Sequence, residues 1–150
     1  MTSPAAAIAS TMVALTVALS CAVPRTRAPD YSWECGSDRS ALEAPADGSL
    51  SEWAPHYYVA HWWGDAGRAI SVMRRGDTVE VNGERSVVER SFTMPCWVRY
   101  GEVMEEAGWG ATVFQTCVPG TDLCLFVSAR PHGGAAAAAA EAHAWAEATS

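Results

Sequence analysis

Ala111-Thr-Val-Phe-Gln-Thr-Cys-Val118, Pro119-Gly-Thr-Asp122 and Leu123-Cys-Leu-Phe-Val-Ser-Ala129 are consecutive, and the fold is read from them. Two runs rich in β-branched and aromatic residues flank four residues with the composition of a tight turn, which predicts a hairpin. With Val118 facing Leu123, the register sets Cys117 opposite Cys124, Thr116 opposite Leu125 and Phe114 opposite Val127. Directly opposed residues of an antiparallel pair have Cα atoms about 4.5 to 5.5 Å apart, within reach of a disulfide. A bridge between Cys117 and Cys124 is therefore geometrically open.

Outward from this hairpin the chain offers more short strands. His56 to Trp63 and Arg68 to Arg74 flank Gly64-Asp65-Ala66-Gly67, a turn signal, and Ile70 and Val72 alternate; this reads as a second hairpin. Thr78 to Val81 precedes Asn82-Gly83, the strongest short-range hairpin signal in the chain. A two-residue loop pairs Glu80 with Arg85, whereas a four-residue loop faces Val79 with Val88, and the sequence leaves both open. Arg85 to Phe92 is the partner strand, and Cys96 to Tyr100 is another. Roughly six to eight short strands with turns this close together predict an all-β, antiparallel β-sandwich. Glu102 to Ala107 is the one short helix expected there, with Val103, Met104 and Ala107 on one side and Gly108 as its stop.

The ends differ in composition. Met1 to Ala22 reads as a signal peptide, since Ala5 to Leu19 is apolar but falls short of the about 20 strongly apolar residues of a membrane span, and Ser20 and Ala22 are small. Cleavage after Ser20 would retain Cys21, and cleavage after Ala22 would remove it. Residues 23–55, punctuated by four prolines, form an irregular lead segment packed on the core. Trp33 and Trp53 are expected to cover an edge of that core. The β-sandwich domain is residues 56–130. Residues 131–150 are a low-complexity tail containing six successive alanines, disordered or helical, and without an amphipathic stripe it is expected to fray.

Of 150 residues, seventeen are acidic and ten are basic, and the net charge is −7. An acidic chain does not suit phosphate backbones, so nucleic acid is excluded as a partner and a basic partner is favoured. Beyond residue 22 the cysteines are Cys35, Cys96, Cys117 and Cys124. This even number suits two disulfides in an oxidising compartment, with three connectivities possible. Secretion is the expected localisation.

Nothing assembles into a catalytic constellation. His56 and His61, five apart, fall on opposite faces of a strand and do not readily share a metal. Cys117-x6-Cys124 suits a hairpin better than a zinc knuckle. Glu105 and Glu106 diverge by about 100° on a helix and make no acid–base pair. No nucleophile motif accompanies His56, His61 or Asp65. No enzyme activity, metal or cofactor is expected. Tyr57, Tyr58, Trp62 and Trp63 are dense for one strand. Alternation sends Tyr58 and Trp62 to one face and Tyr57, His61 and Trp63 to the other, one of them core. The second is either an interaction surface or is covered by residues 23–55.

Two stretches in order, Pro55-His56-Tyr57-Tyr58 leading to Gly64 and Arg68, and Val98-Arg99-Tyr100-Gly101-Glu102-Val103-Met104 leading to Ala111 through Val118, resemble the secreted poxvirus immune-evasion family. That family includes the viral CC-chemokine-binding proteins and the parapoxvirus inhibitor of granulocyte-macrophage colony-stimulating factor. This chain is shorter than typical members, has fewer cysteines and lacks their long acidic loop. The resemblance implies a β-sandwich that sequesters a host chemokine or cytokine. It carries Tyr57 and Arg68 onto the ligand-contacting sheet, and Glu80 and Glu89 are the acidic residues suited by chemistry to a basic ligand. The alternative is an accessory virion or surface protein with a constitutive protein partner.

Overall fold

The computed structural model describes residues 27–40 and 43–150, so the signal-peptide reading of residues 1–22 lies outside the described residues. In chain order the elements are β1 (Tyr31–Trp33), β2 (Gly36–Ser37), β3 (Ser51–Ala54), β4 (Tyr57–Ala60), α1 (Asp65–Val72), β5 (Thr78–Val81), β6 (Glu84–Pro95), α2 (Tyr100–Ala107), β7 (Thr112–Cys117), β8 (Leu123–Pro131) and α3 (Ala135–Ala148).

The β7–β8 hairpin has the register read from its sequence, with Cys117 paired to Cys124, Thr116 to Leu125 and Phe114 to Val127. At Asn82-Gly83 the two-residue loop is the one formed, pairing Glu80 with Arg85 and Val79 with Ser86. Both loop residues have positive φ, which the primed hairpin turns demand and which Asn and Gly tolerate. Ser86, buried by this register, exchanges a hydrogen bond with Thr112 Oγ1 at 3.1 Å.

The strands belong to one eight-stranded sheet in the order β1-β5-β6-β8-β7-β4-β3-β2. It is mixed: β1 with β5, β2 with β3 and β4 with β7 run parallel, where an antiparallel sandwich was expected. The sheet is also curled. In a flat sheet β1 and β7, four places apart, would be separated by roughly 19 Å. Instead the Trp33 and Phe114 rings lie 6.2 Å apart. The edge strand therefore folds over the centre, enclosing Tyr58, Val79, Val81, Val88, Phe114 and Val127 in one core.

The parallel β4–β7 pair accounts for the clearest departure from expectation. Residues 64–74 are not a hairpin, because Asp65–Val72 is α1. The spacing of Ala66, Ile70 and Met73 is helical, and all three are buried in the core under the curl, while Val72 is exposed. Ile70 and Val72 had suggested period two only because Val72 is an apolar residue facing water. Gly67 seats the helix: a Cβ there would lie 2.0 Å from the His61 carbonyl oxygen and 2.9 Å from Thr116 Oγ1. Gly64 closes the turn from His61, donating its N–H to the His61 carbonyl at 3.1 Å, and Gly67 makes the close helix-to-strand approach.

The opposite sheet face is covered by α2 and α3 over Val59, Val113, Cys124 and Phe126. α2 buries Val103, Met104 and Ala107 and ends at Gly108, as its sequence indicates. It starts earlier than expected, because the chain turns after Pro95; Cys96 to Tyr100 is therefore not a strand. The Glu102 carboxylate caps this start by accepting from the Arg99 backbone N–H at 3.0 Å. The alanine tail is an ordered helix, α3, with Ala138 and Ala142 buried and Trp145 against the same core. Alanine suffices because the docking is close: Gly110 leaves no room for a Cβ, which would sit 2.5 Å from the Ala135 carbonyl oxygen. Trp109 stacks on His143 at 3.8 Å between centroids. Trp33 and Trp53 are half-buried on the two core faces, as anticipated.

Two disulfides were expected, and the described residues hold one, Cys96–Cys124. Cys35 and Cys117 are free thiols. The hairpin register survives although its cross-strand cysteines are not the bonded pair. Among the described residues no helix is long and apolar enough to cross a membrane.

Candidate interaction surface

The residues suggested by the resemblance do not share one face. Tyr57 is only 6% exposed, its ring meets Tyr100 edge-on at 5.5 Å, and its hydroxyl donates to Gln115 Oε1. Burial pushes its phenol well above the usual tyrosine range. Arg68 is exposed on α1 and pairs with Asp65, and its guanidinium also donates to the Trp63 carbonyl. Glu80 accepts from Arg85 at 3.0 Å on β5. Glu89 is the extra residue of a bulge in β6, between Val88 and Arg90, and its carboxylate lies 3.1 Å from Arg130. Each acidic candidate is already paired within the chain.

What the topology does gather is apolar and lies at one end of the sheet. Ala60 on β4 pairs with Thr116 on β7, Cys117 with Cys124 on β8, and Leu123 with Pro95 on β6. The ends of four adjacent strands therefore converge, and the segments leaving them carry His61, Trp62 and Trp63 on one side and Cys96 and Trp97 on the other. Trp97 is 72% exposed, Trp62 45%, Trp63 42% and Leu123 39%. With Val72 these are all the exposed large hydrophobics among the described residues. Three strand spacings, roughly 14 Å, separate the two tryptophan groups. A groove of about 210 Å³ lies at this end, lined by residues that include His61, Cys96, Gln115 and Cys117. Asp65, Asp122 and Glu43 are exposed acids on the segments around it.

Tyr57 and Tyr58 point to opposite faces, as alternation requires, but both faces are covered, by α2 and α3 on one side and by the curl and α1 on the other. Trp62 and Trp63 are exposed because β4 has ended before them. Trp97 and Leu123 were not singled out from sequence. The available signal was Pro95 followed by the Arg99–Glu102 capping pair, which places Trp97 in a turn instead of a strand.

At the sheet's other end, His56 has φ of 56° and lies between two carboxylates, with Nδ1 3.6 Å from Glu84 and Nε2 3.5 Å from Glu141. Its backbone N–H donates to Glu52, and Arg39 joins Glu52 to Glu141. This network ties the β3–β4 turn, the β5–β6 turn and α3 together. Among the described residues, its cavity is lined by side chains that include Arg85, His132 and Glu141. His56 and His61 sit on either side of β4, one before its first residue and one after its last.

Among the described residues one cluster has metal-ligand spacing: the sulfurs of Cys96, Cys117 and Cys124 lie within 4.8 Å of one another. Fully reduced, they could hold a soft ion, which favours thiolates. With Cys96 and Cys124 bonded, a single thiol remains. No protein-family model, curated protein or solved structure matches this chain.

Proposed function

We propose that this chain is a secreted binding protein that holds a host chemokine or cytokine by protein–protein contact, through the sheet end bearing Trp62, Trp63, Trp97 and Leu123. The observation that carries the reading is that these side chains, all exposed, lie on or beside the strand ends at one end of the sheet while two well-filled cores lie behind them. Exposed tryptophans are among the side chains most often found as energetic anchors of interfaces, and large apolar side chains left exposed together at one end of a small domain mark such a site. The net charge of −7 favours a basic ligand. Viral origin and membership of the poxvirus immune-evasion family rest on the resemblance of the two quoted stretches, and a sheet curled over one core is compatible with the sandwich of that family. In this reading the anchors move from Tyr57 to the tryptophans, while Arg68, Glu80 and Glu89 contribute to long-range charge.

Surface plasmon resonance of the mature chain against a chemokine and cytokine panel tests the proposal. Trp97→Ala should weaken binding by ~2 kcal/mol, roughly 30-fold and mostly in the off-rate. Reversing Glu80 and Glu89 should act mainly on the on-rate and its salt dependence. Failure to bind any member, with the chain found instead in a constitutive complex, would favour the accessory-protein reading.

A further inference from the structure

The three clustered cysteines occupy graded environments. Cys124 is fully buried on β8, Cys117 is half-buried directly across the hairpin, and Cys96 is exposed in the turn after β6. The free Cys117 sulfur is 3.8 Å from Cys124 Sγ, at contact distance from a sulfur that is already bonded to Cys96. Gln115 Nε2 lies 3.1 Å from the same Cys124 sulfur, and its side-chain oxygen is held in turn by the Tyr57 hydroxyl. The three sulfurs lie within 4.8 Å of one another, so Cys117 meets the bonded Cys124 sulfur obliquely and reaches the in-line position for exchange by rotating its own side chain.

Backbone geometry also suits the alternative bond. Val118 N–H donates to the Leu123 carbonyl at 2.9 Å. The neighbouring Cys117–Cys124 pair is then the non-hydrogen-bonded kind, whose Cα atoms approach to about 4.5 Å. That distance falls inside the span a disulfide bridges. Either Cys96 or Cys117 can therefore be bonded to Cys124 without moving a strand.

We propose that Cys96, Cys117 and Cys124 form a thiol–disulfide exchange site that delivers Cys96 as a surface thiol for reaction with an external disulfide. In the first step the Cys117 thiolate attacks Cys124 Sγ; the Cys117–Cys124 bond forms, the Cys96–Cys124 bond breaks, and its electron pair leaves on Cys96. The departing thiolate sits at the surface, where water solvates it, so the exposed member is the better leaving group. No oxidant is consumed. In the second step the Cys96 thiolate attacks a small disulfide R–S–S–R, forming Cys96–S–S–R and releasing R–S⁻. Trp97 beside Cys96 and the groove next to it offer apolar surface to the incoming group. This chemistry does not depend on the cytokine-binding reading, since it needs only the chain and a disulfide.

The test is differential alkylation of the full chain under non-reducing native conditions, with Cys35→Ser as background to remove the other free thiol of the described residues and the Cys21 peptide read separately. Trypsin isolates Cys96 between Arg90 and Arg99, and an Asp-specific protease separates Cys117 from Cys124 at Asp122. Iodoacetamide should label Cys96 and Cys117 in complementary fractions and leave Cys124 unlabelled. Incubation with glutathione disulfide should give a mixed disulfide on the Cys96 peptide. Cys117→Ser should abolish both Cys96 reactions, and Cys117→Ala serves the same purpose if the serine variant folds poorly by circular dichroism. Cys96→Ser, prepared under the same oxidising conditions, should contain a Cys117–Cys124 bridge. Cys96 left unlabelled in the native chain, or labelled equally without Cys117, would overturn the proposal.

Discussion

Gly67→Ala sets two effects of known size against each other. In an exposed helix, replacing Gly by Ala stabilises by about 1 kcal/mol. Here the new Cβ would stand 2.0 Å from the His61 carbonyl oxygen and 2.7 Å from its carbon. An ordinary carbon–oxygen contact is about 3.3 Å, so α1 or the end of β4 must shift by about 1.3 Å. Backbone cannot rotate away as a side-chain tip can, and overpacking of this kind costs typically 1 to 3 kcal/mol, occasionally more. A 1.3 Å clash against backbone belongs at the upper end of that range, so the net expectation is a loss of about 2 kcal/mol, or roughly 4 to 8 °C in Tm for a domain of this size. Gly101→Ala is the control. Gly101 lies in the first turn of α2 with nothing within 4 Å of its would-be Cβ, so it should be neutral or stabilising by about 0.5 kcal/mol. Urea and thermal unfolding with the disulfide intact measure both variants. A Gly67→Ala protein as stable as the parent would refute the seating of α1 on β4 and β7, and with it the parallel crossover.

The curl makes a second prediction. Trp33 and Phe114, placed 6.2 Å apart by it, should show a coupling of about 0.5 to 1.5 kcal/mol in a double-mutant cycle to alanine, whereas a flat sheet would leave them additive. The tyrosines make a third. Burial is the leading cause holding all four phenols above their ordinary value, with Tyr100 pushed up to about 12. A native absorbance titration should therefore show Tyr57, Tyr58 and Tyr100 missing from the ordinary tyrosinate step near pH 10. The neutral phenol is the form the fold favours, so the stability linked to it is complete below the unfolded value and is lost as pH rises toward the folded ones. A four-tyrosine step at the ordinary value in still-folded protein would contradict this burial.

Local chemistry was the legible part of the sequence. The β7–β8 register follows from adjacent runs and one turn, Asn82-Gly83 specifies its own backbone, and Val103, Met104, Ala107 and Gly108 define a helix and its stop. Non-local decisions were not legible. Asp65–Val72 carries both a period-two and a helical reading, and the parallel partnership of β4 with β7, fifty-odd residues away, is what makes it a crossover. Four cysteines likewise allow three pairings, and the bond fell to Cys96 because the Pro95 turn carries it to the start of β8. The interaction surface depended on the same long-range order. Trp62 and Trp97 are 35 positions apart in sequence and share one end of the sheet only because β4, β7, β8 and β6 are neighbours.

Tryptophan-oxidation footprinting of the chain with and without a bound partner tests that surface most directly. In the free chain Trp62, Trp63 and Trp97 should oxidise faster than Trp33, Trp53, Trp109 and Trp145, which are half-buried. Bound partner should protect the first three together. Protection that leaves Trp97, Trp62 and Trp63 as reactive as in the free chain, with binding intact, would contradict the assignment of the interface to this end of the sheet.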